Sequence, residues 1–174
     1  MRSLLLIFTL SLGLFADVLS LPEYFKADFT QKITNTKGKV ISYKGKVYFS
    51  NKLHFKWDYT APTKKQVCTN GRELTVVDHD LEQVSQYAIE KGFNFSKILK
   101  KAKPHKKNIY VANYENKSYT IQVDASQRLH SIAYFDELDN KVQIIFKKVK
   151  YGKGNLSKKV MTCKVPKAYD MIRG

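Results

Sequence analysis

The sequence predicts a mainly β protein: about eleven antiparallel strands forming a barrel or strongly curved sheet, with one helix across its open mouth or concave face. Three observations carry this expectation. From about residue 27 onward, apolar and polar side chains alternate with period two through most of the chain. Turn residues recur between these runs, Asn70–Gly71 being the strongest short-hairpin signal. The alternation breaks at 93–103, where Phe95, Ile98, Leu99 and Ala102 fall at i, i+3, i+4 and i+7 and make one apolar helical face.

The elements follow in order. Residues 1–16, MRSLLLIFTLSLGLFA, read as a cleaved secretory signal, with Arg2 as a basic start, Leu4 to Phe15 as the apolar run and Ala16 as the small residue at the cut. That run is too short for a membrane span, which needs ~20 apolar residues. Residues 17–174 are long enough for one domain. A short, weak helical stretch is expected near Pro22–Ala27. Strands are expected over 27–33 and 39–49, on either side of the turn-rich 34–38. The next, 53–60, opens LHFKWDYTAP: Leu53, Phe55, Trp57 and Tyr59 share one face, His54, Lys56 and Asp58 the other, and Pro62 ends it. Strands at 64–69 and 73–78 flank Asn70–Gly71, and another spans 81–89 after the turn at 78–80. In the helix that follows, Asn94 caps the start and Pro104 stops the end. Lys97, Lys100, Lys101 and Lys103 cover its outer face, with cations in the last turn where the helix dipole favours them. Strands resume at 108–114, 119–123, 127–135 and 141–150, and a last short strand at 159–165 ends at Pro166.

Composition narrows the function classes. Lys plus Arg is 31 against 15 Asp plus Glu, a net charge of +16. The charge is nearly all lysine, dense at 97–107 and 147–154, with little of the bidentate arginine that reads phosphates and bases. That argues against nucleic acid. It leaves attraction to an anionic membrane surface, attraction to an acidic protein, or a plain solvated lysine surface. No C-x-x-C, H-E-x-x-H, G-x-S-x-G or P-loop is present. His79 between Asp78 and Asp80 reads as a solvated turn rather than a metal site. Export implies an oxidising compartment, in which Cys68 and Cys163 either form one bridge or remain two buried thiols.

One ordered series of segments is more specific. FTQK at 29–32, Gly45 opening KVYF, FKWDYTAP at 55–62, TNGRELTVVD at 69–78 and DLEQV at 80–84 resemble the periplasmic outer-membrane lipoprotein carrier family, LolA, over roughly 24–166. The resemblance implies an incomplete antiparallel barrel with an amphipathic lid helix over its concave face. It implies a cavity that shields lipoprotein acyl chains, filled from an inner-membrane lipoprotein-releasing transporter and emptied to an outer-membrane lipoprotein receptor. It implies a monomeric periplasmic carrier with no enzymatic activity and no cofactor. On this chain the cavity residues would be Val47, Phe49, Leu53, Phe55, Trp57, Tyr59 and Val76, under a lid carrying Phe93, Phe95, Ile98, Leu99 and Ala102. Two positions depart from the family. The cavity arginine that helps latch the lid is matched here by about Asn51, and the N-terminal lid helix is abbreviated. A carrier of another lipid or glycolipid, and a non-catalytic sensor or scaffold on the same fold, remain alternatives.

Overall fold

The computed structural model describes residues 19, 22–50, 54–89 and 95–173. The expected leader, Asn51, Leu53, Phe93 and Asn94 lie outside these. The period-two runs form twelve strands: β1 (Tyr24–Thr34), β2 (Val40–Ser50), β3 (His54–Ala61), β4 (Lys65–Thr69), β5 (Glu73–Asp78), β6 (Gln83–Ala88), β7 (Lys103–Lys106), β8 (Ile109–Tyr114), β9 (Lys117–Val123), β10 (Leu129–Phe135), β11 (Lys141–Gly152) and β12 (Asp170–Arg173). Helix α1 spans Phe95–Lys100 and helix α2 spans Lys158–Met161. All strands join one open sheet in the order β12-β6-β5-β4-β3-β2-β1-β11-β10-β9-β8-β7. Ladders between chain neighbours are antiparallel, as is β1 with β11; β12 runs parallel to β6.

The sheet is strongly curled without closing. In a flat sheet, six spacings of ~4.8 Å would put β8 about 29 Å from β3. Yet α1, a helix of 6 residues, packs against β8 and sets Phe95 6.3 Å from Phe55 of β3. Register shifts in the β1–β11, β2–β3 and β9–β10 ladders supply part of the bend. The main core lies on the inner face. Phe25, Ala27 and Phe29 of β1 interleave there with Val47 and Phe49 of β2, Ile121 of β9, Ile132 of β10 and Phe146 of β11.

Three expectations are corrected. The stretch near Pro22–Ala27 is not helical: β1 starts at Tyr24, because Phe25 and Ala27 already alternate into the inner core. Residues 159–165 are not a strand. The chain makes α2, and the last strand is β12 on the β6 edge. Pro104 follows the end of α1 but sits inside β7, at the outermost edge of the sheet, where a missing N–H costs no ladder bond on the open side.

Candidate functional site

The inner face of β1–β3 is an aromatic wall built by cross-strand register. Phe25 pairs with Phe49, and Phe49 with Phe55. Their rings stack at 5.4 Å and tilt at 5.3 Å respectively. One row further on, Val47 pairs with Trp57. Phe29 sets its ring edge-on to Trp57 at 4.8 Å and to Tyr59 at 5.1 Å. Gly45 makes that seat possible: a Cβ there would lie 2.9 Å from the Phe29 ring and 2.1 Å from the Asp58 carbonyl oxygen. Phe146 of β11 closes the row, 6.3 Å from Trp57.

Helix α1 covers this wall. Phe95 lies 6.1 Å from Phe25, 6.4 Å from Phe49 and 6.3 Å from Phe55. Ile98 and Leu99 are buried beside it, and Ala102 follows them into the same cluster. The free space left between Phe55, Trp57, Phe95, Ile132, Ile144 and Phe146 is about 10 Å³, roughly room for one water. Those side chains leave little free space between the wall and the helix.

The sequence-named residues are placed as follows. Val47 and Phe49 are buried in the inner cluster, while Phe55, Trp57 and Tyr59 are half-buried against it. Val76 shares their face through the row Trp57–Val67–Val76, but stands apart from the cluster. Phe25, Phe29, Ile132, Ile144 and Phe146 complete the inner face beyond the residues expected from sequence. Their signal was present in the alternation of β1, β10 and β11, which fixes a face without saying which face is covered.

The wall has a polar end. Gln31 lies between Phe29 and Ile33 on the inward side of β1, and the Tyr59 hydroxyl donates to its Oε1 at 3.1 Å. Burial, then Tyr134 and Tyr43, push the Tyr59 phenol far above its ordinary range. Burial pushes Tyr134 up to about 12. These hydroxyls are held neutral. Among the described residues no group of His, Cys, Asp or Glu is arranged to hold a metal ion, and no helix is long and apolar enough to cross a membrane.

The outer face of β3–β6 carries a second, smaller cluster. Cys68 and Cys163 form a disulfide, packed with Val77, Val84 and Tyr169. Lys56 points the same way and is only 5 % exposed. Its Nζ donates to the Thr162 carbonyl at 3.1 Å. Burial lowers its pKa, opposed by nearby Asp58 and aided by Lys164. The Lys164 N–H donates to Gln66 Oε1 at 2.8 Å. The His79 ring contacts the Tyr169 hydroxyl through Nδ1 at 3.1 Å. The segment after α2 is thus strapped to the outer face.

Fold and site define a class: an open, curled, almost wholly antiparallel sheet whose apolar inner face is covered, among the described residues, by one short helix. The family model described as "Outer membrane lipoprotein carrier protein LolA" matches residues 22–117. An outer-membrane lipoprotein carrier protein of Campylobacter jejuni is 37% identical, over 99% of this chain and 100% of its own length. One from Helicobacter hepaticus is 30% identical, over 99% of this chain and 96% of its own. The chain belongs to the LolA family. Among solved structures, an uncharacterized conserved protein from Thermus thermophilus superposes with a TM-score of 0.57 at 10% identity, over 88% of this chain and 92% of that one. A LolA superfamily protein from Nitrosomonas europaea gives 0.50 at 10% identity, over 85% and 94%. Likeness at that identity concerns the fold alone.

Proposed function

We propose that the chain is a periplasmic chaperone that shields lipoprotein acyl chains against the inner face of its sheet. It takes them from an inner-membrane lipoprotein-releasing transporter and hands them to an outer-membrane lipoprotein receptor. The observation that carries this reading is the cover. An apolar wall of Phe49, Phe55 and Trp57 lies under a helix of 6 residues, not under a second sheet. The names of the Campylobacter and Helicobacter relatives, outer-membrane lipoprotein carrier proteins, support the cargo class. Residues 1–16 supply the export signal, and the carrier acts as a monomer with no cofactor and no catalytic group.

Val47, Phe49, Phe55, Trp57 and Tyr59 form the acyl-binding wall, joined by Val76 on the same face and by Leu53 as the alternation of 53–59 implies. Phe95, Ile98, Leu99 and Ala102 form the inner side of the lid, preceded by Phe93. Binding is then an exchange. Burying ten methylenes is worth about 8 kcal/mol, near micromolar affinity before costs. Unseating Phe95, Ile98 and Leu99 costs ~1.5–3 kcal/mol each. The two sides are of similar size, so cargo is sheltered yet releasable.

A Phe55→Glu variant tests the wall. Affinity for a triacylated peptide is expected to fall by about tenfold or more, with the far-UV circular dichroism spectrum retained. Unchanged affinity would sink the assignment. Mass spectrometry of what copurifies identifies the cargo. A triacylated protein supports this reading, a free lipid or glycolipid moves it to another carrier, and no apolar molecule moves it to a scaffold.

A further inference from the structure

Residues 91–114 carry seven lysines and His105, with no Asp or Glu among them. Those from Lys97 to Lys107 lie along α1, β7 and the residues that join and follow them. On α1, Ile98 and Leu99 point into the core while Lys97 and Lys100 are exposed. Lys101 continues that side, its Nζ 5.4 Å from the Tyr114 ring centre. The chain then enters β7, where Lys103, Pro104, His105 and Lys106 are all exposed, and Lys107 follows. Among the described residues, strand β7 ends the sheet and pairs with β8 alone. The helix that covers the apolar wall therefore runs directly into the free edge of the sheet, and both carry exposed lysines along one short stretch of chain.

We propose that this α1–β7 surface docks on the headgroups of an anionic lipid bilayer, and that docking draws α1 off the inner face. The charge selects an anionic partner. The surface chemistry selects a bilayer over a folded protein. Protein interfaces concentrate binding in buried aromatic and arginine anchors, and none of the large exposed apolar side chains lies on α1 or β7. The surface has no arginine either. Lysines on flexible stems suit a fluid layer of headgroups, which asks for charge density and no fixed geometry. The coupling follows from position. Lys100 and Leu99 are adjacent on a helix of 6 residues, so a pull on the lysine side is a pull on the side chains that fill the wall. The inference does not depend on which apolar ligand the wall takes, and its test contains no cargo.

The test mixes the exported protein with vesicles of phosphatidylglycerol and phosphatidylcholine, or of phosphatidylcholine alone. Partition to the anionic vesicles is expected at low salt and is expected to vanish near 1 M salt, where screening acts over ~3 Å. The variant Lys100→Gln/Lys103→Gln/Lys106→Gln/Lys107→Gln should partition about tenfold more weakly or worse. A variant with the same charge loss elsewhere, Lys153→Gln/Lys158→Gln/Lys159→Gln/Lys167→Gln, should stay within about twofold of the parent. Trp57, the single tryptophan, lines the same space as Phe95. Its emission should shift to the red when anionic vesicles are added. No partition overturns the proposal, as does equal loss in the two variants, which would mean diffuse net charge. Partition without a Trp57 shift overturns the coupling. Retention on poly-glutamate with no partition to vesicles assigns the surface to an acidic polypeptide instead and also overturns it.

Discussion

Tyr59 joins the two ends of the wall: its ring packs on Phe29, and its hydroxyl meets Gln31. That placement sets a pH dependence with a definite sign. An unfolded tyrosine ionises near pH 10. Folded Tyr59 and Tyr134 stay protonated beyond that, Tyr134 up to about 12, chiefly because burial disfavours phenolate. Between these values the unfolded chain holds fewer protons than the folded one. Stability therefore falls as pH rises through that window, at up to about 1.4 kcal/mol per pH unit for each such phenol. The double variant Tyr59→Phe/Tyr134→Phe should show a shallower decline in urea midpoint above pH ~10 than the parent. An identical slope would mean that these phenols are not the groups held neutral. The side on which Tyr59 lies was legible in the sequence, because alternation is a property of adjacent residues. The burial of Lys56 was not. Its cover is Thr162, 106 residues later, and no local pattern announces it.

At the scale of elements, α1 was legible in part and α2 was not. The spacing of Phe95, Ile98, Leu99 and Ala102 marks one apolar stripe, and those residues are the ones buried. The described helix is shorter than the expected 93–103 and ends at Lys100. Residues 159–165 show strand-like alternation yet fold otherwise. Their partners are the Cys68 sulfur and the Gln66 side chain, which bind a single chain segment without a neighbouring strand. A helix as short as α1 has little stability of its own, so its seat depends on the aromatic contacts of Phe95. If the lid competes with cargo, weakening it should improve binding. Phe95→Ala is expected to lose ~3–5 kcal/mol of packing in the covered state and to bind a triacylated peptide more tightly, by about tenfold or more. Weaker binding would show that Phe95 belongs to the cargo site rather than to its competitor.

Across the whole molecule, the open sheet divides into parts of unequal strength. Strands β1, β2 and β11 are the longest, at 11, 11 and 12 residues, and they carry much of the inner core. Strands β4, β5 and β6 have 5, 6 and 6 residues, and their outward cluster is small. That half is held by the C-terminal strap, through the disulfide, the Lys56 and Gln66 bonds, and β12 on the β6 edge. Alternation showed that both halves would be strands. It could not show that one half is stapled from the end of the chain, since two cysteines in a sequence fix neither their distance nor their pairing. The disulfide closes a separation of 95 residues, a span for which loss of the bridge typically costs ~2–5 kcal/mol. Local opening should follow the same division. Hydrogen exchange is expected to be slowest in β1, β2 and β11 and faster in β4–β6 and β12. In Cys163→Ser, exchange in β4–β6 and β12 should quicken further while β1 and β11 keep their protection. Uniform acceleration across the sheet would mean that the strap stabilises the molecule as one cooperative unit, and the division into a firm inner half and a stapled outer half would fail.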